Sequence, residues 1–262
     1  MLNMLNILFI GDIFGKPGRQ LVRKLLPELK ERYHIHLTIA NAENSAGGLG
    51  LTADVMRELF GMGIDVLTSG NHIWDKKEIL GLIEDEKRLL RPANFPSGVP
   101  GRGAGIYQTG DQQVGILNLA GRVFMPPCDC PFQTAQREVE TILQTTPIII
   151  VDFHAEATSE KQAMGWLLRD KATAVIGTHT HVQTADEKIY PEKSAYISDA
   201  GMVGPHNSIL GMDPEEALRR FKTGLPMKWK IADGDCTLCA VVVSAEPKTG
   251  KAAEIQRITI KQ

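Results

Sequence analysis

The sequence lacks any long apolar run and any excess of positive charge. Its hydrophobic stretches fall short of the roughly 20 residues that a membrane span requires. The chain of 262 residues carries a formal net charge of −2, so no general positive field is available to hold a nucleic-acid backbone. We therefore expect neither a membrane span nor a stable complex with nucleic acid.

Cysteine is scarce, and no targeting segment is recognisable. The four cysteines form two close pairs, Cys128 with Cys130 and Cys236 with Cys239. These spacings do not match a zinc ribbon, so we interpret the residues as reduced thiols, with a zinc site as the alternative. The opening MLNMLNILFIGD has neither a cationic leader nor a small-residue cleavage site and is interpreted as a strand. These features predict a cytoplasmic protein.

The chain does contain enough apolar material for a substantial core, with 43% hydrophobic and 23% charged residues. Short apolar runs such as NILFIGD, DVLTSGNH and PIIIVDF alternate with segments of helical periodicity, one of them from about residue 75 to 85. Hairpins are predicted at Gly110–Asp111 and near the end of the sequence. No repeat or linker interrupts this order, which predicts a single α/β domain over residues 1–262.

Side chains that can bind metal ions follow five of the predicted strands. They are Asp12, Glu43, Asn44, Asn71, His72, His154, His179 and His181. Because functional groups in open α/β sheets gather beyond the carboxyl ends of the strands, we expect these side chains to converge. Each residue alone has an ordinary alternative as a helix cap, a turn residue or a core histidine.

The segment GTHTH separates His179 from His181 by one residue. If the strand continued through this segment, the two imidazoles would point the same way, because extended backbone has a side-chain period of two. His34 and His36 precede a strand and are interpreted as structural residues.

The candidate donors are oxygen and nitrogen atoms without thiolate, a set that suits Mn, Fe, Zn, Co or Mg. Seven donors, leaving His72 aside, exceed the needs of one ion. Two ions that share a ligand therefore explain the set most simply, and such a pair can clamp a phosphoryl group.

Several motifs resemble those of known enzymes. SGNH at residues 69–72, the isolated His154 and GTHTH at 177–181 are similar to the later blocks of the calcineurin-like metallophosphoesterase superfamily. Phe14 stands where that superfamily has its first histidine, and NAENSAGGLGL replaces its G-D-x-x-D block. Over its whole length the chain resembles the bacterial YmdB-like family, through GDIFGKPGR, NAENSAGG, TSGNHIWDKKEI, RPANFP, GTHTHVQTAD and DAGMVGP.

The resemblance implies a fold with two mixed β-sheets sandwiched between helices. It also implies a dinuclear phosphodiesterase, with iron as the first choice of metal and manganese or zinc as alternatives. Such an enzyme opens the 2′-phosphodiester bond of 2′,3′-cyclic nucleotides to leave a 3′-nucleotide, and it can act on other phosphodiesters.

The resemblance further assigns residues to the two ions. One ion would be held by Asp12, Glu43, Asn44 and His181, and the other by Glu43, Asn71, His154 and His179. Glu43 would therefore bridge the ions, and His72 would be the catalytic proton donor.

Other residues carry weaker predictions. Ser45 and His206 are predicted substrate contacts, Asp199 and Gly201 lie on loops that could edge the site, and Trp74 is predicted to pack rather than to stack on a base. A regulatory nucleotide-binding protein with little turnover is an alternative, as is a dinuclear hydrolase of amides or nucleoside diphosphate esters. The sequence leaves open the physiological metal, the cellular substrate and whether the chain forms homo-oligomers.

Overall fold

The computed structural model describes residues 4–226 and 229–262. The strands, numbered along the chain, are β1 (Leu5–Ile10), β2 (Asp12–Ile13), β3 (Leu37–Asn41), β4 (Val66–Thr68), β5 (Ala104–Thr109), β6 (Gln112–Ala120), β7 (Ile149–His154), β8 (Ala174–Thr178), β9 (Lys188–Ile189), β10 (Ala195–Ile197), β11 (Met202–Pro205), β12 (Cys236–Ala245) and β13 (Ala252–Lys261). The α-helices are α1 (Gly15–Arg32), α2 (Ala53–Gly61), α3 (Pro131–Leu143), α4 (Thr158–Leu168) and α5 (Pro214–Thr223).

The strands form two mixed sheets. The first has the order β2-β11-β12-β1-β3-β4, with β13 paired to β12, and the second has the order β5-β6-β7-β8-β10-β9. Strands β1, β3 and β4 are parallel neighbours in the first sheet, as are β6, β7 and β8 in the second. Each parallel run therefore presents several carboxyl strand ends at one edge of its sheet.

The core is divided into layers by these sheets. Ile7 and Phe9 of β1 pack with Ile116, Ile150 and other residues of the second sheet between the two sheets. The alternate side chains of β1 face α1 and α2, while the outer face of the second sheet packs on α3 and α4. Because both faces of the central strands are covered, these strands are almost uniformly apolar. The predicted sandwich of two mixed sheets between helices is confirmed.

Local sequence signals explain several boundaries. The Thr52 hydroxyl accepts a hydrogen bond from the Val55 amide at the start of α2, and Asp213 accepts one from the Glu216 amide at the start of α5. Gly224 ends α5 with a φ of 68°, a conformation that glycine adopts without steric cost. The predicted hairpin at Gly110–Asp111 joins β5 to β6 as expected.

The predicted helix from about residue 75 to 85 is wrong. Only a short 3-10 helix forms there, at Lys77–Gly81, and Gly81 is a poor residue for continuing a helix. Trp74 packs against Phe95 with ring centroids 6.2 Å apart, which agrees with its predicted packing role. Within residues 4–226 and 229–262, no helix is both long and apolar enough to cross a membrane.

Candidate metal centre

The parallel strands bring the predicted metal ligands to one place. Glu43 follows β3, Asn71 follows β4, His154 ends β7 and His179 follows β8. One ligand atom each from Glu43, His154 and His179 lies within 4.8 Å of the others. Side chains separated by more than 130 positions in the sequence therefore meet where the two sheets adjoin.

A first group of donors surrounds Nε2 of His154. This nitrogen lies 3.0 Å from Glu43 Oε1, 3.2 Å from Asn71 Oδ1 and 3.1 Å from Nδ1 of His179. A six-coordinate cation with bonds of about 2.1 Å spaces neighbouring ligands about 3 Å apart. The spacing of this group therefore fits a shared cation.

Hydrogen bonds fix the tautomer of His154. The Thr178 hydroxyl donates to Asp152 Oδ1 over 2.7 Å, and so its oxygen is free to accept from Nδ1 of His154, 2.9 Å away. Asn41 Nδ2 also donates to the Asp152 carboxylate, at 3.1 Å. With its proton on Nδ1, the imidazole directs the Nε2 lone pair at the other donors, as a metal ligand requires.

A second group contains Asn44 and His181. Nε2 of His181 lies 3.3 Å from Asn44 Oδ1, while Nδ1 donates to the Leu210 carbonyl over 3.1 Å. The Asn44 amide nitrogen donates to the Gly48 carbonyl, which orients its oxygen toward His181. Both side chains thus present unprotonated donor atoms to the same point.

The hydrogen bonding of the Asp12 carboxylate is an independent test of whether a cation fits at this site. Its side chain is fully buried, and Oδ2 accepts a hydrogen bond from the His179 amide at 3.2 Å. Among the described residues, Oδ1 finds no hydrogen-bond partner. Because a buried carboxylate oxygen without a partner is costly, a bound cation would satisfy this atom, and the residues present fit a bound metal.

The pKa values of the donors reflect burial and the charges of neighbouring side chains. Burial alone would lower the pKa of His154, but Glu43 and two further carboxylates raise it to about 9. Burial would raise the pKa of Glu43, but His154 and His72 lower it to about 2. Burial raises the pKa of Asp12 well above its usual value, while burial and the neighbouring His154 lower that of His179 to about 3.

His72 lies at the edge of the donor groups, on the cavity wall. Its backbone amide donates to Glu43 Oε2 over 2.9 Å, and Nδ1 lies 2.8 Å from Asp75 Oδ2. The carboxylate orients the imidazole, so that Nε2 can carry a proton toward the cavity. Sequence analysis did not identify Asp75, although its spacing of three residues from His72 could have suggested the pair.

Glu156 is a second residue that sequence analysis missed. Its Oε2 lies 3.2 Å from Nε2 of His179, whose Nδ1 faces His154. A carboxylate on the outer nitrogen orients a histidine and makes it a better ligand. The signal was weak, because Glu156 follows the strand end by two residues in a loop.

The backbone at His179 and His181 differs from the prediction. Strand β8 ends at Thr178, and the two histidines have φ values of 99° and 64°. They therefore do not alternate as in an extended strand, and that expectation is wrong. The turn instead sends His179 to the first donor group and His181 to the second.

A cavity of about 460 Å³ opens over the donors. Glu43, Asn44, His72, His179 and His181 line one side. The rest of the lining, which we call the wall, comes from α5 and its flanking loops and includes Leu210, Met212, Arg220, Phe221 and Trp229. Phe14, which replaces a histidine of the wider superfamily, is buried and packs edge-on against His181 at 5.6 Å between ring centroids.

The remaining predicted residues lie outside this cavity. Ser45 is fully buried, and its hydroxyl donates to the Ile13 carbonyl over 3.3 Å, so it does not reach the space above the donors. His206 lines a neighbouring cavity, where Nε2 lies 3.9 Å from Cys239 Sγ. Asp199 is also buried rather than at the cavity edge, and Gly201 lies against Gln183 and Cys239.

The four cysteines are free thiols. Over residues 4–226 and 229–262, the only acid, histidine and cysteine group close enough to bind a metal is Glu43, His154 and His179. The alternative of a zinc site built from the cysteine pairs therefore finds no support in this part of the chain.

Comparisons with known proteins agree with this geometry. A family model described as YmdB-like protein matches residues 8–258. The chain is 50% identical over 256 residues to a 2′,3′-cyclic-nucleotide 2′-phosphodiesterase of Bacillus subtilis, covering 98% of this chain and 97% of that protein. A crystal structure described as a novel phosphatase from Mycoplasma pneumoniae superposes with a TM-score of 0.93 at 34% identity, covering 100% of this chain and 95% of that one.

The fold extends to more distant proteins. The NAD nucleotidase of Haemophilus influenzae gives a TM-score of 0.60 at 16% identity, covering 98% of this chain and 55% of that one. The chain is thus an enzyme, a hydrolase of the phosphoesterase class with a metallophosphoesterase fold. Within that class it belongs to the YmdB-like family, as its motifs predicted.

Proposed function

We propose that the enzyme hydrolyses 2′,3′-cyclic nucleotides at the 2′-phosphodiester bond, leaving a 3′-nucleotide, with two metal ions bound at the candidate centre. The observation that carries the proposal is the first donor group of Glu43, Asn71, His154 and His179. The second pair, Asn44 and His181, lines the same cavity as His72, whose imidazole is oriented by a carboxylate. The 50% identity to a 2′,3′-cyclic-nucleotide 2′-phosphodiesterase supports the same activity.

The two donor groups suggest how the ions are shared. Asp12, Asn44 and His181 would hold one ion, Asn71, His154 and His179 the other, and Glu43 would bridge them. Iron is our first choice, with manganese or zinc as alternatives, because this set of oxygen and nitrogen ligands suits all three. When bound, two such ions lower the pKa of a water molecule and neutralise charge on the phosphoryl oxygens.

The proton donor is His72. The Asp75 carboxylate accepts from Nδ1 and would stabilise the imidazolium form of His72, whose Nε2 proton would pass to the departing 2′-oxygen. An alkoxide leaving group is strongly basic, so its departure depends on this proton. Arg220, at the cavity edge, adds positive charge.

The cavity wall supports a nucleotide as the substrate. Phe221 and Trp229 line the same cavity as the donors and present aromatic side chains that are 79% and 40% exposed. Aromatic side chains stack on bases with little dependence on base identity. A phosphodiester bound at the donors would therefore place an attached base against this wall.

The proposal is tested by metal removal and product analysis. Protein stripped with a chelator and reloaded with iron, manganese or zinc is assayed on 2′,3′-cyclic AMP, with 3′-AMP and 2′-AMP separated by chromatography. We expect activity only after reloading and 3′-AMP as the product. Glu43→Gln should bind metal more than about 100-fold more weakly, because it removes a ligand rather than an outer partner, whereas the remote surface variant His34→Asn should match the wild type.

Three results would contradict the proposal. Full activity after chelation would exclude the metal mechanism, and 2′-AMP as the main product would exclude the assigned bond. A protein that binds metal and nucleotide tightly without turnover would favour the regulatory alternative. Hydrolysis of a phosphomonoester measured in parallel shows whether the activity is selective for diesters.

A further inference from the structure

The turn that carries both histidine donors has an unfavourable backbone. His179 and His181 both have positive φ values, although side chains with a Cβ rarely adopt this region. A residue in such a conformation persists only where the surrounding structure enforces it. Something in the fold must therefore hold this turn.

Thr180, between the two histidines, is the point at which the turn is held. Its backbone amide and its hydroxyl both donate to Asp199 Oδ2, over 3.1 and 2.8 Å. Asp199 Oδ1 accepts from the Gly201 amide at 2.8 Å, and the Asp199 amide donates to Thr184 Oγ1 at 2.9 Å. Asp199 therefore holds Thr180 through two hydrogen bonds, while Gly201 and Thr184 hold Asp199 in turn. We call this set of bonds the brace.

Lys161 of α4 completes the brace. Its Nζ lies 2.7 Å from the same Asp199 Oδ2, and the two side chains are only 2% and 1% exposed. Gly177 permits this approach, because a Cβ there would overlap the Ser198 carbonyl and contact the Lys161 chain. The pair is therefore built into the junction between β8, β10 and α4.

A buried ion pair is not by itself a stabilising device, since desolvation offsets most of the attraction. Here, however, the carboxylate also receives the amide and hydroxyl of the residue between two proposed ligands. The position of Asp199 next to Thr180 indicates that it helps to set the backbone geometry of the turn that carries His179 and His181. Neither Lys161 nor Asp199 reaches the donor atoms, so neither is a ligand.

We propose that Asp199, held in place by Lys161, is a positioning residue that keeps His179 and His181 in their strained conformations, so that each imidazole faces a different metal ion. The inference rests on the metal centre of the proposed function. Loss of the brace would let the turn relax and would separate the two donors from Glu43 and Asn44.

The test measures metal binding without substrate. Metal-stripped Asp199→Asn and Lys161→Met are titrated calorimetrically with Mn²⁺ and Zn²⁺, and their unfolding is followed by circular dichroism. We expect at least tenfold weaker binding of each metal, the range seen when outer partners of ligands are removed. Because the measurement uses no nucleotide, a failure of the proposed substrate would not affect it.

Asp186→Asn is the matched control. Asp186 lies in the same connection and accepts hydrogen bonds from Ser198 and Thr184, but it contacts neither Thr180 nor the histidines. This variant should lose some stability while its metal affinity stays within twofold of the wild type. A purely structural role for Asp199 would give the same pattern in Asp199→Asn and would overturn the inference.

If Asp199→Asn and Lys161→Met do not fold, Thr180→Val tests whether the brace positions the two histidines. It removes the hydroxyl bond to Asp199 and a long hydrogen bond of 3.5 Å from the Val182 amide to the same hydroxyl. The Lys161 pair and the backbone bond from Thr180 to Asp199 stay in place. We expect threefold to tenfold weaker metal binding with a melting temperature close to that of the wild type. Wild-type affinity in folded Thr180→Val would count against the brace.

Discussion

The two sides of the cavity are built differently. The donor side comes from the ends of paired strands, and Glu43 and His154 are 1% and 0% exposed. The wall comes from α5 and loops, with Phe221 mostly exposed. Strand ends in two sheets fix the positions of donors closely, whereas a surface helix is free to present different side chains. Under the proposed function, the donor side would carry out the chemistry and the wall would influence which substrate binds.

The largest effect should come from crowding the donor side. In Gly70→Ala, the new methyl group would overlap the imidazole of His154 and lie against Glu43 Oε2. We expect metal binding and hydrolysis to be lost, measured by calorimetry and by turnover. Gly61→Ala is the control, because nothing lies within 4 Å of the added atom and alanine favours the helix. A metal affinity unchanged in Gly70→Ala would show that the donor side is less rigid than described.

Removing the proton donor should give the next largest effect. His72→Ala keeps the backbone amide that binds Glu43, so metal affinity should stay unchanged. Turnover of 2′,3′-cyclic AMP should fall about 10²–10⁴-fold, the usual contribution of a positioned general acid. Nitrophenyl esters should be affected much less, because their leaving group needs little protonation. Equal losses on both substrates would argue against proton donation.

Truncating the wall should alter binding rather than chemistry. Phe221→Ala is expected to raise KM for 2′,3′-cyclic AMP about fivefold to tenfold while kcat changes little, since loss of one stacking contact costs about 1 kcal/mol or more. Leu218→Ala is the control, because Leu218 is exposed on α5 but does not line the cavity. A fall in kcat with unchanged KM would contradict the claim that the wall affects substrate binding and not the chemical step.

The smallest expected effect is a pH-dependent change in stability, and it concerns Asp186 in the connection between β8 and β10. Burial would raise the pKa of Asp186, but hydrogen bonds from Ser198 and Thr184 lower it below its usual value. A carboxyl whose pKa is depressed by folding stabilises the protein above the unfolded pKa of about 3.9 and loses that contribution as pH falls through the folded value.

Asp186→Asn should therefore reduce the free energy of unfolding by about 1 kcal/mol at pH 7, a modest figure because this group is partly exposed. The difference in melting temperature from the wild type should narrow in acid. Thermal melts of both proteins from pH 7 to pH 3 measure this difference in melting temperature. A difference that grows as the pH falls would contradict the lowered pKa of Asp186.

Strand patterns predicted the architecture of the donor side. Apolar runs identified β1, β3, β7 and β8, and the rule that functional groups follow carboxyl strand ends predicted that Glu43, Asn71 and His154 would form one group. The helix over residues 75–85 failed because a short amphipathic pattern fits a 3-10 turn as well as a helix.

Contacts between distant segments could not be predicted in the same way. The bond between Thr180 and Asp199 depends on how β8 and β10 are paired, and the spacing of the histidines gave no signal of the positive φ values at His179 and His181. Ser45 was predicted to contact substrate, yet its hydroxyl donates to the Ile13 carbonyl. Tertiary packing, not spacing, decides such orientations.

The amide of His72 donates to the oxygen of Glu43, and this one bond joins the group that would release a proton to the group that would bridge the ions. Any shift of that carboxylate as an ion leaves would move the imidazole with it. An enzyme that carries one ion should therefore be slow both because an ion is missing and because the imidazole of His72 is displaced. When half of the metal sites are filled, the rate should fall by more than half.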